Sequence, residues 1–287
     1  WISTSINNRT IYSLYRNGTY LLAGVENLGV MVSTNNGAEW TQGNLKKTAS
    51  YSIINGSSKL FAGGLSGIYW TSNNGSEWFG TQVNDGVNCV SASGMIVCGA
   101  SGTKGVYIST NGGNNWINSP VGNRYVKTVA CNSTFIFAGT SDSGVFRSSN
   151  TGVSWSKIGG GTSNNALILC GSYLYSGNAG YPAPSVASFY ASTNNGSNWI
   201  YPNFVNKTVK CLWATGAEIY AGVSDEGLYK STNNGQNFVL TNLTVPNITA
   251  ITSNGNIIIA GTQTQGVYLS TNGGSNWIQK NEGFPNV

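Results

Sequence analysis

Ser270-Thr271-Asn272-Gly273-Gly274-Ser275-Asn276-Trp277 is the last of seven versions of one short phrase. The others run from Ser33 to Trp40, Thr71 to Trp78, Ser109 to Trp116, Ser148 to Trp155, Ser192 to Trp199 and Ser231 to Phe238. Their closing aromatics are 38, 38, 39, 44, 39 and 39 residues apart. A period near 40 with no helical pattern between copies marks a propeller or a solenoid.

Before the last copy, Ile248 to Thr252 reads as a strand, with a turn at Ser253-Asn254-Gly255 and a second strand from Asn256 to Ala260. A loop from Gly261 to Gln265 leads to a third strand, Val267 to Ser270, and the phrase itself turns the chain into a fourth at Trp277. Short runs of Val, Ile and Tyr between Gly/Asn turns favour antiparallel sheet over helix. An Ala-Gly pair closes the second strand in five copies, at residues 23, 62, 138, 221 and 260. So small a side chain suits a crowded zone where neighbouring sheets pack face to face.

Seven four-stranded antiparallel sheets set radially bury both faces of every sheet, so the expected fold is an all-β, seven-bladed β-propeller filling the chain as one domain. The blades run from about 10–45, 46–83, 84–121, 122–160, 161–204, 205–243 and 244–283, with 1–5 as an extra outer strand. A linear solenoid is the competing architecture. It usually carries atypical polar caps, whereas the first and seventh copies here look like the middle ones.

Only 8% of residues are charged, while Gly, Asn, Ser and Thr abound and aromatics reach 11%. A surface built from amides and hydroxyls is common in secreted and cell-surface β proteins, which sets the expected location. The net charge of +5 is spread thinly, with Lys46-Lys47 the one adjacent basic pair, so nucleic acid is not an expected partner. No apolar run is long enough to span a bilayer, which argues against direct membrane insertion. A start at Trp1 reads either as a removed leader or as a window on a longer polypeptide.

Five cysteines do not read as a disulfide framework. Cys98 falls in the column of Ala23, Ala62, Ala138, Ser176, Ala221 and Ala260, and Cys89 in that of Leu14, Ile53, Val129 and Ile251. Both columns are core columns, so buried packing thiols are expected, with Cys131, Cys170 and Cys211 of the same kind. The alternative is a Cys89–Cys98 bridge across a turn at Ser93-Gly94.

The phrase resembles the Asp box, the bacterial neuraminidase repeat S-x-D-x-G-x-x-W of sialidases, sortilin-type receptors, xyloglucan hydrolases and photosystem assembly factors. The resemblance covers essentially the whole chain and implies a propeller with the box between the third and fourth strands, away from the active centres of such enzymes. One departure is systematic: the Asp position holds Asn35, Asn73, Asn111, Asn150, Asn194, Asn233 and Asn272. An amide oxygen accepts the same turn bonds and Asn tolerates left-handed backbone, so a structural role is expected there, without calcium or general-acid chemistry. The glycines that follow would supply positive φ, and the aromatics would plug the core.

There is no histidine, which removes the commonest general base and metal ligand, so neither metal nor cofactor is expected. Glu26, Asp142, Asp225 and Glu226 fall in loops between second and third strands, on the face where enzymes of this resemblance keep their active residues. A glycosidase needs two carboxyls about 5 to 10 Å apart. Only Asp225 and Glu226 are neighbours, and adjacent residues of an extended loop diverge. Glycan binding has more support: the loop Asn178 to Ala187 displays Tyr181 among prolines, and Trp70 and Trp213 stand outside the repeated aromatic column. N-x-Ser/Thr sequons occur at Asn8, Asn17, Asn55, Asn74, Asn132, Asn195, Asn206, Asn242 and Asn247, a number that an Asn-, Ser- and Thr-rich chain reaches by chance.

Trp1-Ile2-Ser3-Thr4 parallels Trp116-Ile117-Asn118-Ser119, so two segments, at Trp1 and Trp277, claim the outer place of the seventh blade. The displaced one would be a spare strand, suited to adding to another copy or another surface protein. The expected function is a non-catalytic extracellular propeller acting as a structural or adhesive module, a glycosylated subunit of a surface or filamentous assembly. A glycan-binding lectin and an Asp-box glycoside hydrolase are the alternatives.

Overall fold

The computed structural model describes residues 9–45, 48–179 and 187–281. Seven separate antiparallel sheets follow one another along the chain, each in simple up-and-down order. Six have four strands. The fifth has three, Asn164–Cys170, Tyr173–Asn178 and Phe189–Ser192, with a single bridge from Ala191 to Ile200 where the fourth would pair. The first strands of the sheets are Ile11–Asn17, Ser50–Asn55, Cys89–Ser93, Val126–Cys131, Asn164–Cys170, Val209–Thr215 and Ile248–Asn254. Each touches the first strand of the next sheet, and the seventh touches the first. The fold is thus a seven-bladed β-propeller around an axial channel.

The ring is shut by packing. Ile11, Leu14 and Leu21 of the first blade share one apolar cluster with Ala250, Ile259 and Val267 of the seventh, and the Thr249 hydroxyl donates to the Ile11 carbonyl. Fully burying a Leu or Ile side chain contributes about 1.5–3 kcal/mol, against about 1 kcal/mol for a net hydrogen bond, so the apolar cluster dominates closure. The outer place of the seventh blade is taken by Ile278–Gln279, paired to Val267–Ser270. The rival segment at Trp1 lies outside the described residues.

Adjacent blades approach closely at the glycines of the Ala-Gly pairs. Gly24 faces the Ser50 carbonyl, Gly63 faces Val87 and Val90, Gly139 faces Asn164 and Leu167, and Gly261 faces Ile11. In each case a Cβ would overlap the next blade, so it is the missing side chain of the glycine, beside a buried alanine, that sets the spacing.

Two expectations need correction. The repeated glycines have positive φ as expected, 81° to 94°, but the repeated Asn does not; the second left-handed residue is the one after it, with Asn36, Asn74, Thr151, Asn195 and Asn234 at φ of 53° to 58° and glycines in the same place in the third and seventh copies. The Cys89–Cys98 bridge is also overturned. The turn is Gly94-Met95, one residue later than expected, so Cys98 pairs with Ser91 and Cys89 with Ala100. All five cysteines are free thiols, and Ser91, not Cys89, holds the column of Leu14 and Ile53.

Candidate functional site

In six of the seven blades the ladder between first and second strands slips by one residue near its start. A bulge of this kind leaves one side chain unpaired and re-aims it. The extra residues are Tyr12, Tyr51, Lys127, Asn165, Lys210 and Thr249, and all six line the axial channel, a space of about 590 Å³ walled by the inner strands of every blade. First strands begin on the face that carries the loops between second and third strands, so the six form the mouth of the channel on that face.

Within the mouth, Tyr12 and Tyr51 meet edge to face with ring centroids 4.9 Å apart. Lys127 Nζ donates to Asn165 Oδ1 at 3.1 Å, and Asn165 Nδ2 donates to the Val209 carbonyl at 2.9 Å, which links blades four, five and six. Burial, and then the positive charge of Lys210, pull the Lys127 pKa below the usual lysine value. Burial, with Glu26 and Tyr51 nearby, pushes that of Tyr12 up. No Asp or Glu is among the described residues that line the channel. Deeper in, the wall carries the half-buried apolar side chains Ile54, Ile168, Leu169 and Trp213.

The loop carboxylates lie around this mouth rather than in it, and most are engaged. Glu26 accepts from the Thr10 hydroxyl at 3.0 Å. Asp142 accepts from the Ser143 hydroxyl at 2.8 Å and faces Arg124 at 4.0 Å. Glu226 takes both a 2.6 Å ion pair with Lys207 and the Tyr229 hydroxyl, and these donors hold its carboxyl below the usual range. Such a carboxyl is an ionised acceptor at neutral pH rather than a proton donor. Asp225 is exposed beside it. Lys207 and Tyr229 carry no signal in the sequence, because Lys207 reaches Glu226 from another loop and Tyr229 from the strand that follows.

The repeated asparagines are occupied by their own turns. Asn35 Oδ1 accepts the Glu39 N–H at 2.8 Å and the Ser33 hydroxyl at 3.0 Å, while Ser33 Oγ accepts the Gly37 N–H at 2.9 Å. The same triangle recurs at Asn73, Asn111, Asn150, Asn194, Asn233 and Asn272. Trp70 and Trp213 are not brought together. Trp70 sits in the third strand of blade two, with Lys59 Nζ 4.3 Å from its ring centre and Phe79 stacked obliquely beside it. Trp213 lines the channel and donates from Nε1 to the Ser253 hydroxyl at 2.8 Å. Tyr181 and Asn8 lie outside the described residues.

Among the sequons, Asn55, Asn206 and Asn242 are exposed. The Asn242 amide nitrogen is engaged with the Ser275 carbonyl, and those of Asn17 and Asn132 with Asn74 and Asn195. Asn247 is half-buried. Among the described residues no group of three His, Cys, Asp or Glu side chains is placed to hold a metal ion.

The channel column had a signal in the sequence. The column after it is small or aliphatic and the one before it nearly so, with Asn88 and Asn164 as exceptions, whereas this one reads Tyr, Tyr, Cys, Lys, Asn, Lys, Thr, and in a repeat the column that varies freely is the one released from packing.

No family model and no curated protein matches the chain. Solved structures do. The extracellular domain of the one-component system BT4673 from B. thetaiotaomicron aligns with a TM-score of 0.74 and 16% identity, over 92% of this chain and 38% of that one. YCF48 bound to D1 peptide aligns with a TM-score of 0.69 and 14% identity, over 92% and 93%. The GH74 xyloglucanase from Xanthomonas campestris aligns with a TM-score of 0.68 and 14% identity, over 96% and 55%. This chain spans well under half of the BT4673 chain and about half of the xyloglucanase. At such identities the likeness shows the propeller fold, which an extracellular domain, a peptide-bound protein and a hydrolase have in common.

Proposed function

We propose that this chain is a non-catalytic, extracellular propeller of the Asp-box kind that works as a structural or adhesive interaction module, joining copies of itself or another surface protein into an assembly. The observation that carries this reading is the rim of the wheel. The outer strands are two to four residues long and present Phe79, Ile117, Val239, Leu240 and Ile278 to solvent, with Ile200 and Tyr201 at the same place in blade five. Short strands with open edges and exposed apolar side chains suit lateral association. The low charge and amide-rich surface support a location outside the cell, as does the extracellular domain among the structural neighbours.

Electron microscopy and light scattering test the reading. Assemblies are expected from the purified chain, dispersing in an Ile117→Lys, Val239→Lys, Ile278→Lys variant. Single discs at about 100 μM, far above the dissociation constant of a specific interface, would overturn self-assembly.

A glycan-binding reading rests on Trp213, which lines the channel. A glycan array decides it: a signal lost in Trp213→Ala or Tyr181→Ala supports a lectin, and a blank array removes it. Hydrolysis of aryl glycosides that vanishes in Asp225→Asn or Glu226→Gln would instead establish the hydrolase.

A further inference from the structure

The channel mouth brings together two cations that no carboxylate neutralises. Three cations of the described chain are paired, Lys207 with Glu226, Lys230 with Glu218 and Arg124 with Asp142, and the others are not; what sets Lys127 and Lys210 apart is that both converge on one concave space. Lys127 and Lys210 have no such partner among the described residues, and both line a space whose described wall holds no acid. Lys127 is half-buried, and one of its three N–H donors is spent on Asn165. Two remain there and three on Lys210, against the four lone-pair directions of a carboxylate.

The rest of the mouth is suited to the body of a ligand rather than to its charge. In a ring of seven, blades one and two stand across the axis from blades four to six, so the Tyr12–Tyr51 pair faces the lysine side of the channel. The apolar wall below offers the half-buried Ile54, Ile168 and Leu169. About 590 Å³ lies within the range of small-molecule sites, and an apolar pocket with a few converging polar groups is their usual form. A half-buried cation facing an aromatic pair across the channel disfavours neutral sugars and simple inorganic ions alike: the first waste the charge, the second the apolar wall.

We propose that the channel mouth binds a small organic anion with a flat apolar body, its carboxylate or equivalent acid group held by Lys127 and Lys210 and its body packed between Tyr12, Tyr51 and the aliphatic wall. Asn165 acts as a positioning residue, fixing the Lys127 ammonium by accepting a hydrogen bond from it.

Calorimetry with three probes tests this: 2-naphthoate, its neutral counterpart 2-naphthamide, and acetate. The expected result is saturable binding of naphthoate, at least tenfold weaker binding of the amide, and no measurable binding of acetate. Lys127→Met and Lys210→Met should each weaken naphthoate about tenfold, the loss of one charge-assisted hydrogen bond, while Lys230→Met leaves it unchanged. Lys210 is exposed, so its substitution leaves the fold intact. A salt titration of the unmodified chain reads the same charge dependence without any substitution, with affinity falling as salt rises. Equal affinity for naphthoate and naphthamide, unaltered binding in the Lys210 variant, or no binding of naphthoate at millimolar concentration would each overturn the proposal. None of these outcomes bears on association at the rim.

Discussion

Gly24 of the first blade lies beneath the carbonyl oxygen of Ser50 in the second, so closely that any Cβ at Gly24 would overlap it. Both partners are backbone-fixed, and neither can step aside. Gly24→Ala is expected to lower the unfolding free energy by about 3 kcal/mol, at the upper end of overpacking costs. Gly18→Ala, at a turn with φ +60° and open space around it, should lose only about 1 kcal/mol from the left-handed backbone. Denaturant unfolding of the two variants checks the contrast, and similar losses would mean that blade spacing is not set at the Ala-Gly pair.

The Ser109–Asn111 turn predicts unequal tolerance within the repeated phrase. Ser109 is 1% exposed, and its hydroxyl accepts the Gly113 N–H at 2.9 Å while donating to Asn111 Oδ1 at 3.0 Å. Ser109→Ala strands a buried N–H and should cost about 2 kcal/mol. Asn111→Asp keeps the acceptor for the Asn115 N–H at 2.9 Å and no described group depends on its amide protons, so it should fall within about 0.5 kcal/mol of the parent. A large loss in Asn111→Asp would show that the amide itself is required.

The blades were legible in the sequence because each hairpin repeats a turn whose side chains satisfy their own backbone, so neighbours in sequence suffice to define it. The channel mouth was legible only as a column that varies from blade to blade. Its six residues reach the axis through a slip in strand pairing, and strict alternation along Ile11, Tyr12 and Ser13 cannot show which of them is unpaired. The Cys89 assignment failed for a related reason: moving the turn from Ser93-Gly94 to Gly94-Met95 shifts every cross-strand partner by two. Glu26, Asp142, Asp225 and Glu226 were placed on the correct face by the order of the strands. Their charged partners and Thr10 lie 16 to 19 residues away, and only the folded blade shows that Glu226 belongs to Lys207 and, through the next strand, to Tyr229.

That cluster predicts a pH profile. Lys207 and Tyr229 donate to Glu226 and lower its pKa from the ordinary 4.5. A depressed carboxyl contributes stability that is full above its unfolded value and is lost as pH falls through the folded one. For Lys207, burial pulls its pKa down, but Glu226 and Tyr229 more than offset this and raise it above 10.5, so its contribution is lost only as pH climbs beyond that value. The stability difference between the parent and Glu226→Gln should therefore be flat between about pH 5 and pH 10 and shrink on either side. Because the Glu226 side chain is 39% exposed, the plateau should be small and reduced by salt. A difference that instead grows below pH 4 would mean the carboxyl is destabilised in the fold.

Thr151 offers a stabilising substitution. It occupies the left-handed position of the fourth hairpin with φ 53°, where four other copies have Asn and two have Gly. A β-branched side chain is strained there, by about 1–2 kcal/mol relative to a residue that adopts this backbone freely. The side chain is exposed, so removing it sacrifices no packing. Thr151→Asn should raise the unfolding free energy by about 1 kcal/mol, and Asn234→Thr, the reverse change two blades on, should lower it by a similar amount. Urea unfolding of both variants decides it. Changes of the same sign would show that contacts of these side chains, rather than backbone conformation, govern the position.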